Sequence, residues 1–448
     1  MKSLVSFPRY EVYKESGVDW LGEVPEHWLV VKMKYLYEDV SIKNKPEAEL
    51  LSVTQDKGVV PRTWVETRMV MPSGNLESFK FISKGDFAIS LRSFEGGLEY
   101  CHRDGIISPA YTVLKRKKPN LSQGFYKYLF KSKAFISELQ TSVVGIREGK
   151  NISYDELCYS LLPIAGVDEQ KNIATFLNQK TTQIDQAIEI KKKQIELLKE
   201  RQKVIIQQAV TKGLDPSVKM KDSGIEWIGE VPEHWETVRF RNFFKFNRGL
   251  SITKENLRDE GIPCVSYGEV HSEFGFEVNP KKHKLMCVSN DYLAKNKNSL
   301  IRKGDVVYAD TSEDIEGSGN FTQLVTNDIV FAGYHTIICK PLKSINFRYL
   351  AYCLDSISYR NQIRKQVKGV KVYSITQSIL KNTYIWLPSD REQEEITHYL
   401  DQMRSQIKLA IETEERQIKK LQEYKFSLIN SAVTGKIKIT PDMIAAEE

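Results

Sequence analysis

The chain has 448 residues, of which 41% are hydrophobic and 27% charged, and it carries a formal net charge of +7. That length fits two to four folded units, and that apolar content suffices for real cores, which excludes a disordered tail or a collagen-like fibre. The mild positive charge is compatible with DNA contact without requiring it.

From the N-terminus, the first marked feature is Ser16-Gly17-Val18-Asp19-Trp20-Leu21-Gly22-Glu23-Val24-Pro25-Glu26-His27-Trp28. Beyond it, segments 50–53, 86–91 and 111–114 have the apolar patterning of strands, and 125–139 has amphipathic helical spacing. Leu162-Pro163 then precedes a stretch, 169–211, with no internal Gly or Pro. Within it Ile173, Leu177, Ile184, Ile188, Ile195, Leu198, Ile205 and Ala209 recur at three-, four- and seven-residue steps, the seam of a long coiled-coil helix. The opening motif returns 207 positions later as Ser223-Gly224-Ile225-Glu226-Trp227-Ile228-Gly229-Glu230-Val231-Pro232-Glu233-His234-Trp235. Strands are predicted at 305–308 and 336–339, and a short helix at 347–363. After Leu387-Pro388 a second long helix carries Ile396, Leu400, Met403, Ile407, Ile411, Ile418, Leu421, Leu428 and Ala432 in the same frame. Gly213 and Gly435 stand just past the last apolar positions, where a left-handed cap is wanted. About 40 helical residues span roughly 60 Å.

The repeat has a growing offset. Lys84-Gly85-Asp86 recurs 219 positions on as Lys303-Gly304-Asp305, and the helix opened by Glu169-Gln170 recurs without a gap 223 positions on, opened by Glu392-Gln393. The parts before each Leu-Pro therefore differ in length between copies, while the helices do not. A fixed-length scaffold carrying two divergent modules has this signature. Polar groups on the seam (Lys180, Lys191, Gln202, Glu414, Lys425) are expected to set register and partner choice.

Catalytic and metal-binding patterns are missing from the sequence. The cysteines, Cys101, Cys158, Cys264, Cys287, Cys339 and Cys353, form no Cys-x-x-Cys pair, so neither a structural zinc site nor a disulfide framework is expected. There is no Pro-Pro pair, and Asn279-Pro280 is followed by Lys281, so the motif with which adenine-N6 methyltransferases grip a flipped base is lacking. Gly317-Ser318-Gly319 lies in an acidic stretch and reads as a loop. His27 and His234 have no partnered nucleophile nearby and are expected to pack beside Trp28 and Trp235. Trp20, Trp28, Trp227 and Trp235 match between copies, so they are read as a structural joint rather than as base-stacking groups. No run of about 18 apolar residues exists, and 1–10 lacks a cationic head with an apolar core. Neither a membrane span nor a leader is expected, and the expected compartment is the cytoplasm.

The doubled Trp-Leu/Ile-Gly-Glu-Val-Pro-Glu-His-Trp motif, the Gly-Asp markers, the Leu-Pro then Glu-Gln openings and the Ala-Val-Thr-(Lys)-Gly closes are each weak alone. In order and twice, they resemble the specificity subunit of Type I restriction-modification systems over essentially the whole chain. The resemblance implies an α/β (α+β) fold of two mixed target recognition domains separated by two long antiparallel coiled-coil helices, with a pseudo-twofold axis. The expected division is 1–161 and 214–386 for the opening motifs with their recognition domains, and 162–213 and 387–448 for the helices. The family's chain is a non-catalytic, DNA-binding subunit that reads a bipartite, asymmetric site in double-stranded DNA. It implies two DNA-methyltransferase subunits and restriction/translocase subunits as partners. S-adenosylmethionine, ATP and Mg belong to those partners, and no cofactor is expected on this chain. Reading heads on one side of B-DNA should stand about 34–36 Å apart. A stand-alone methyltransferase or nuclease, or a coiled-coil adaptor that binds no DNA, are the competing readings.

On this reading DNA contacts belong in the divergent parts. In the first module Arg92 and Ser93, before Gly96-Gly97, follow a predicted strand, and an arginine there can bond guanine bidentately. Arg62, Arg68, Lys80, Arg147 and Lys150 suit phosphates or base edges. The second module offers Tyr267, Lys281, Lys282, Lys284, Lys365, Lys368, Lys371 and Tyr373. The run 115–118 reads as a solvated turn touching phosphate at most.

Overall fold

The computed structural model describes residues 7–65, 76–144, 151–369 and 372–445. These form two compact units, 1–192 with 415–448, and 193–414.

In the first unit, β1 (Leu29–Lys32) and β2 (Tyr37–Asp39) follow the opening motif. A hairpin comes next, β3 (Leu51–Thr54) and β4 (Gly58–Pro61), with Gly58 at φ +74° turning the chain. Then follow β5 (Phe87–Ile89), β6 (Glu99–Tyr100) and β7 (Thr112–Arg116). The sheet order is β2-β7-β5-β6, all antiparallel. The predicted helix at 125–139 is two helices, α1 (Gln123–Leu129) and α2 (Lys133–Leu139). Ser132 splits them: its hydroxyl accepts from Phe135 N and starts a new helix. β8 (Leu161–Ile164) returns to pair with β1 and leads into α3 (Val167–Lys212).

The second unit repeats this plan at greater length. β9 (Glu236–Arg239) corresponds to β1, and β10 (Phe244–Arg248) to β2. After them come β11 (Ile262–Val265), α4 (Tyr267–Ser272), β12 (Glu277–Val278), β13 (Val306–Ala309), β14 (Phe321–Leu324) and β15 (Thr336–Pro341). The sheet order β10-β15-β13-β14-β12 keeps the β2-β7-β5 core of the first unit and extends it. α5 (Phe347–Asp355) and α6 (Ile357–Arg364) are again split by a serine, Ser356, whose hydroxyl accepts from Tyr359 N. β16 (Tyr373–Ser374) and β17 (Tyr384–Leu387) lead to α7 (Asp390–Val433), and β17 pairs with β9.

The repeated markers have physical jobs. Gly85 and Gly304 take φ +93° and +89°, and the neighbouring Asp86 and Asp305 carboxylates accept from Ser83 N and Arg302 N at 3.0 and 2.9 Å. Each Gly-Asp is thus a turn that launches an interior strand of its sheet. Gln170 accepts from Ser122 N and donates to Ala165 O, while Gln393 accepts from Asn346 N and donates to Pro388 O. A buried glutamine therefore ties each long helix to the short helix beside it. Both are at most 4% exposed, so losing the side chain would orphan backbone groups.

The cores follow the same plan. In the first unit Ile173, Phe176 and Leu177 of α3 share one core with Trp28 and with Leu428, Ala432 and Val433 of α7. In the second, Ile206, Ala209 and Val210 of α3 share a core with Trp235, Trp386, Ile396 and Leu400. Each head is therefore closed by one end of each long helix.

Within the first unit α3 and α7 run antiparallel. Asp185 meets Lys425 at 2.6 Å and Lys191 bonds Gln417, while Ile184, Ile188 and Leu421 form an apolar cluster between them. The predicted seam is buried at Ile173, Leu177, Ile184, Ile188, Ile396, Leu400, Ile407, Leu421 and Leu428, but only half-buried at Ile195, Leu198, Ile205, Ile411 and Ile418. Ile206, not Ile205, is the buried residue near the end of α3. A 3.6-residue turn drifts against a strict heptad, which moves the inward face by one position over this length.

Candidate nucleic-acid interface

Each head bears a cleft where three chain segments end together. In the first it is about 670 Å³, lined by Val53 to Lys57 of the β3–β4 hairpin, by Ser90, Leu91 and Arg92 after β5, and by Tyr111 before β7. In the second it is about 530 Å³, lined by Tyr267, Gly268 and His271 after β11, by Thr311 to Asp314 after β13, and by His335 before β15. The Gly-Asp offset places Arg92 opposite Thr311 in the repeat, and Tyr111 and His335 each directly precede equivalent strands. The place is the same in both heads and the chemistry is not.

The first cleft is held by an ion pair whose carboxylate is buried and whose ammonium is partly exposed. Lys131 Nζ donates to Glu99 Oε1 at 2.7 Å, to Gln55 O at 3.0 Å and to Gly96 O at 2.9 Å. Gln55 Nε2 donates to Arg92 O. One ammonium thus binds the hairpin tip to the loop that displays Arg92. The Glu99 side chain is fully buried, and loss of solvation raises its pKa to about 7 against the pull of Lys131. Arg92 itself is exposed.

In the second cleft, His271 Nε2 donates to Thr311 O at 2.6 Å and its Nδ1 accepts from Asn320 Nδ2 at 3.0 Å, which fixes one tautomer. His335 takes φ +55°, uncommon for a residue with a Cβ, and its Nδ1 lies 3.2 Å from Asp310 Oδ1. The carboxylate accepts Nδ1–H, so Nε2 is the ring's remaining hydrogen-bonding atom. Tyr267, Tyr334 and His335 pack ring to ring here, with centroids 5.4 to 5.9 Å apart. Gly317-Ser318-Gly319 forms no phosphate cradle: Asp314 Oδ1 accepts from Gly317 N, Ser318 is fully buried, and the turn closes on itself.

The expected contact residues fall into distinct groups. Arg92 and Tyr267 line the clefts, and Tyr373 pairs with Ser312 at the rim of the second. Arg62 is half-buried, three residues before the first cleft's Val65. Lys281, Lys282, Lys284 and Lys368 are exposed. Ser93 corrects the expectation: it is fully buried, and its hydroxyl accepts from Ser90 N to close the turn under Arg92. Lys80 and Lys365 are engaged within the fold. Lys80 donates to Tyr111 O at 2.7 Å, and Lys365 meets Glu226 at 2.8 Å over the Trp227 ring. Arg68, Arg147, Lys150 and Lys371 lie outside the described residues. Gln55, Tyr111, His271 and His335 were missed by sequence reasoning. The signal for them is positional: they flank strands whose partners the repeat identifies.

The opening motifs join head to scaffold. Trp28 and Trp235 are 0% and 1% exposed. His27 and His234 correct the packing expectation: both are largely exposed, and each meets the carboxylate at the start of a long helix, Glu169 at 3.0 Å and Glu392 at 2.8 Å. Burial alone would raise the Glu392 pKa, but hydrogen bonds from His234, Ser389 and Trp235 outweigh it and hold the group low. Gly435, at φ +73°, lies against Pro25 and Trp28, and Gly213, at φ +75°, against Trp235. Among the described residues no group of three His, Cys, Asp or Glu side chains is placed to hold a metal ion, and no helix is long and apolar enough to cross a membrane.

A family model described as the Type I restriction modification DNA specificity domain matches residues 232–422. The Type I restriction enzyme MjaVIII specificity subunit of Methanocaldococcus jannaschii is 24% identical, over 98% of this chain and 99% of its own. A chain from a structure of type I R-M system assembly and conformational transition superimposes with TM-score 0.68 at 15% identity, covering 92% of this chain and 98% of that one. The HsdS subunit from Thermoanaerobacter tengcongensis gives TM-score 0.54 at 16% identity with the same coverages. The mixed α/β fold with its two long helices is thus the fold of these subunits. With the doubled motif and repeated helix joints, these likenesses make the chain similar over nearly its whole length to Type I restriction-modification specificity subunits.

Proposed function

We propose that this chain gives its complex sequence specificity by binding double-stranded DNA at a bipartite, asymmetric site, one half-site per head. The observation that carries the reading is the pair of clefts: one location in the repeat, two unlike linings. Contacts that repeat (Gln170 and Gln393, His27 and His234, Trp28 and Trp235) belong to the scaffold, because a scaffold meets the same demands twice. Residues that differ at equivalent places belong to readout, because the two half-sites differ. The division proposed is two heads, 1–161 and 214–386, on helices 162–213 and 387–448, whose fixed length sets the spacer between half-sites.

On this reading the chain is a non-catalytic subunit, in keeping with its likeness to specificity subunits. Its proposed partners are two DNA-methyltransferase subunits, which bring S-adenosylmethionine, and restriction/translocase subunits, which bring ATP and Mg, all in the cytoplasm. Co-expression with a cognate methyltransferase, followed by mapping of methylated adenines across a genome, tests this. One bipartite, non-palindromic motif is expected. A palindromic motif, or methylation without sequence preference, contradicts it.

A further inference from the structure

The second head carries another cleft, at the opposite end of β13 and β15 from His335. It is about 710 Å³, and Lys245, Lys297, Arg302, Lys303, Lys340 and Lys343 line it, with Asp305 as the acidic group among them. None of these six was expected from the sequence. Asp305 is already committed: it accepts from Arg302 N at 2.9 Å and lies 3.8 Å from Lys340 Nζ. Burial pushes the Lys340 ammonium below the ordinary lysine value, and Arg302 and Lys245 push the same way against Asp305. Five of the six cations remain in excess over one carboxylate within a single cleft. Like charges at such spacing repel within a Debye length of about 10 Å, and an anion relieves them.

The kind of anion follows from the side chains and from the repeat. Five of the six are lysines, point charges that meet phosphate oxygens without the fixed bidentate geometry an arginine fork imposes. The same end of the first head is also cationic. Lys84, Lys115 and Lys118 are exposed around the Gly85-Asp86 turn and the end of β7, beside Lys117, which donates to Lys34 O and lies 4.0 Å from Glu38. The heads differ at their reading clefts and agree here, so the ligand is one that both half-sites share. β13 is four residues, roughly 13 Å. That is close to the ~12 Å width of the major groove, so one head can set bases at one end and backbone at the other.

We propose that this basic cleft binds backbone phosphates of the duplex and fixes the second head's position on DNA without reading sequence. The proposal rests on the DNA-binding reading above. Its test uses the full complex with methyltransferase subunits, carrying the wild-type chain, Lys297→Glu/Lys343→Glu, or the neutral Lys297→Gln/Lys343→Gln. Both lysines are exposed, so the fold is not at stake. Duplex affinity is measured against salt concentration, and the methylated motif is mapped. Two lost phosphate contacts should lower the slope of log K against log salt by about 2. Affinity should weaken by a like factor on cognate and non-cognate duplexes, with the motif unchanged. An unchanged slope overturns the proposal, as does an altered motif, or loss of methyltransferase subunits while intact complexes keep wild-type affinity. A wild-type complex that binds no duplex overturns the underlying reading first. A wild-type complex that binds, with variants that match it, overturns only this inference.

Discussion

At the scale of single residues, the first cleft concentrates its consequences on two side chains. Arg92 is exposed at the cleft, on a turn closed by buried Ser93. If it forks onto a guanine edge, Arg92→Ala should relax one guanine position in one half-site by about 1–3 kcal/mol of discrimination and leave the other half unaltered. Methylome mapping of the variant reads both effects. Glu99, beneath that turn, makes the first head sensitive to pH. Its folded pKa is about 7, above the ordinary 4.5. The stability it contributes is fully present below about pH 4.5 and is lost as pH rises through about 7. The range of the effect is up to about 3 kcal/mol. Glu99→Gln should flatten that slope in urea titrations between pH 4.5 and 7.5, and an unchanged slope would locate the dependence elsewhere. Arginine after a strand was visible in the sequence. Glu99 and Lys131 were not, because their pairing joins segments 32 residues apart through burial that no local pattern encodes.

At the scale of elements, the long helices were legible because an apolar seam declares itself at three- and four-residue steps, and because Gly213 and Gly435 end them with positive φ. The short helices were legible as helices but not as pairs, since Ser132 and Ser356 act as N-caps only where the chain turns back on its own core. The clefts were not legible at all. Each gathers ends of three segments, such as 53–57, 90–92 and Tyr111, that sheet pairing alone brings together. The helix end also makes a prediction. A Cβ on Gly435 would stand 2.4 Å from Pro25 Cδ at a φ of +73°. Gly435→Ala should therefore destabilise the first head by on the order of 1–3 kcal/mol, read as a lower urea midpoint at constant m. Gly213→Ala, whose nearest contact is Trp235 at 3.4 Å, should pay only the conformational part and fall less.

At the scale of the molecule, equal helices and unequal heads are the pattern to explain. α3 and α7 have 46 and 44 residues. The offset between copies changes only ahead of them, by 12 residues before the Gly-Asp marker and 4 after it. Insertion of one or two helical turns after Ile195 should lengthen the spacer of the methylated motif and leave the bases of both half-sites as they were. The most direct test exchanges residues ~30–160 for the same segment of a relative with a different motif, in a complex with the same methyltransferase. We predict that one half-site of the methylated sequence changes to that of the donor, while the spacer and the other half-site stay fixed. A motif unaltered by the exchange, or altered in both halves at once, would contradict the claim that each head reads its own half.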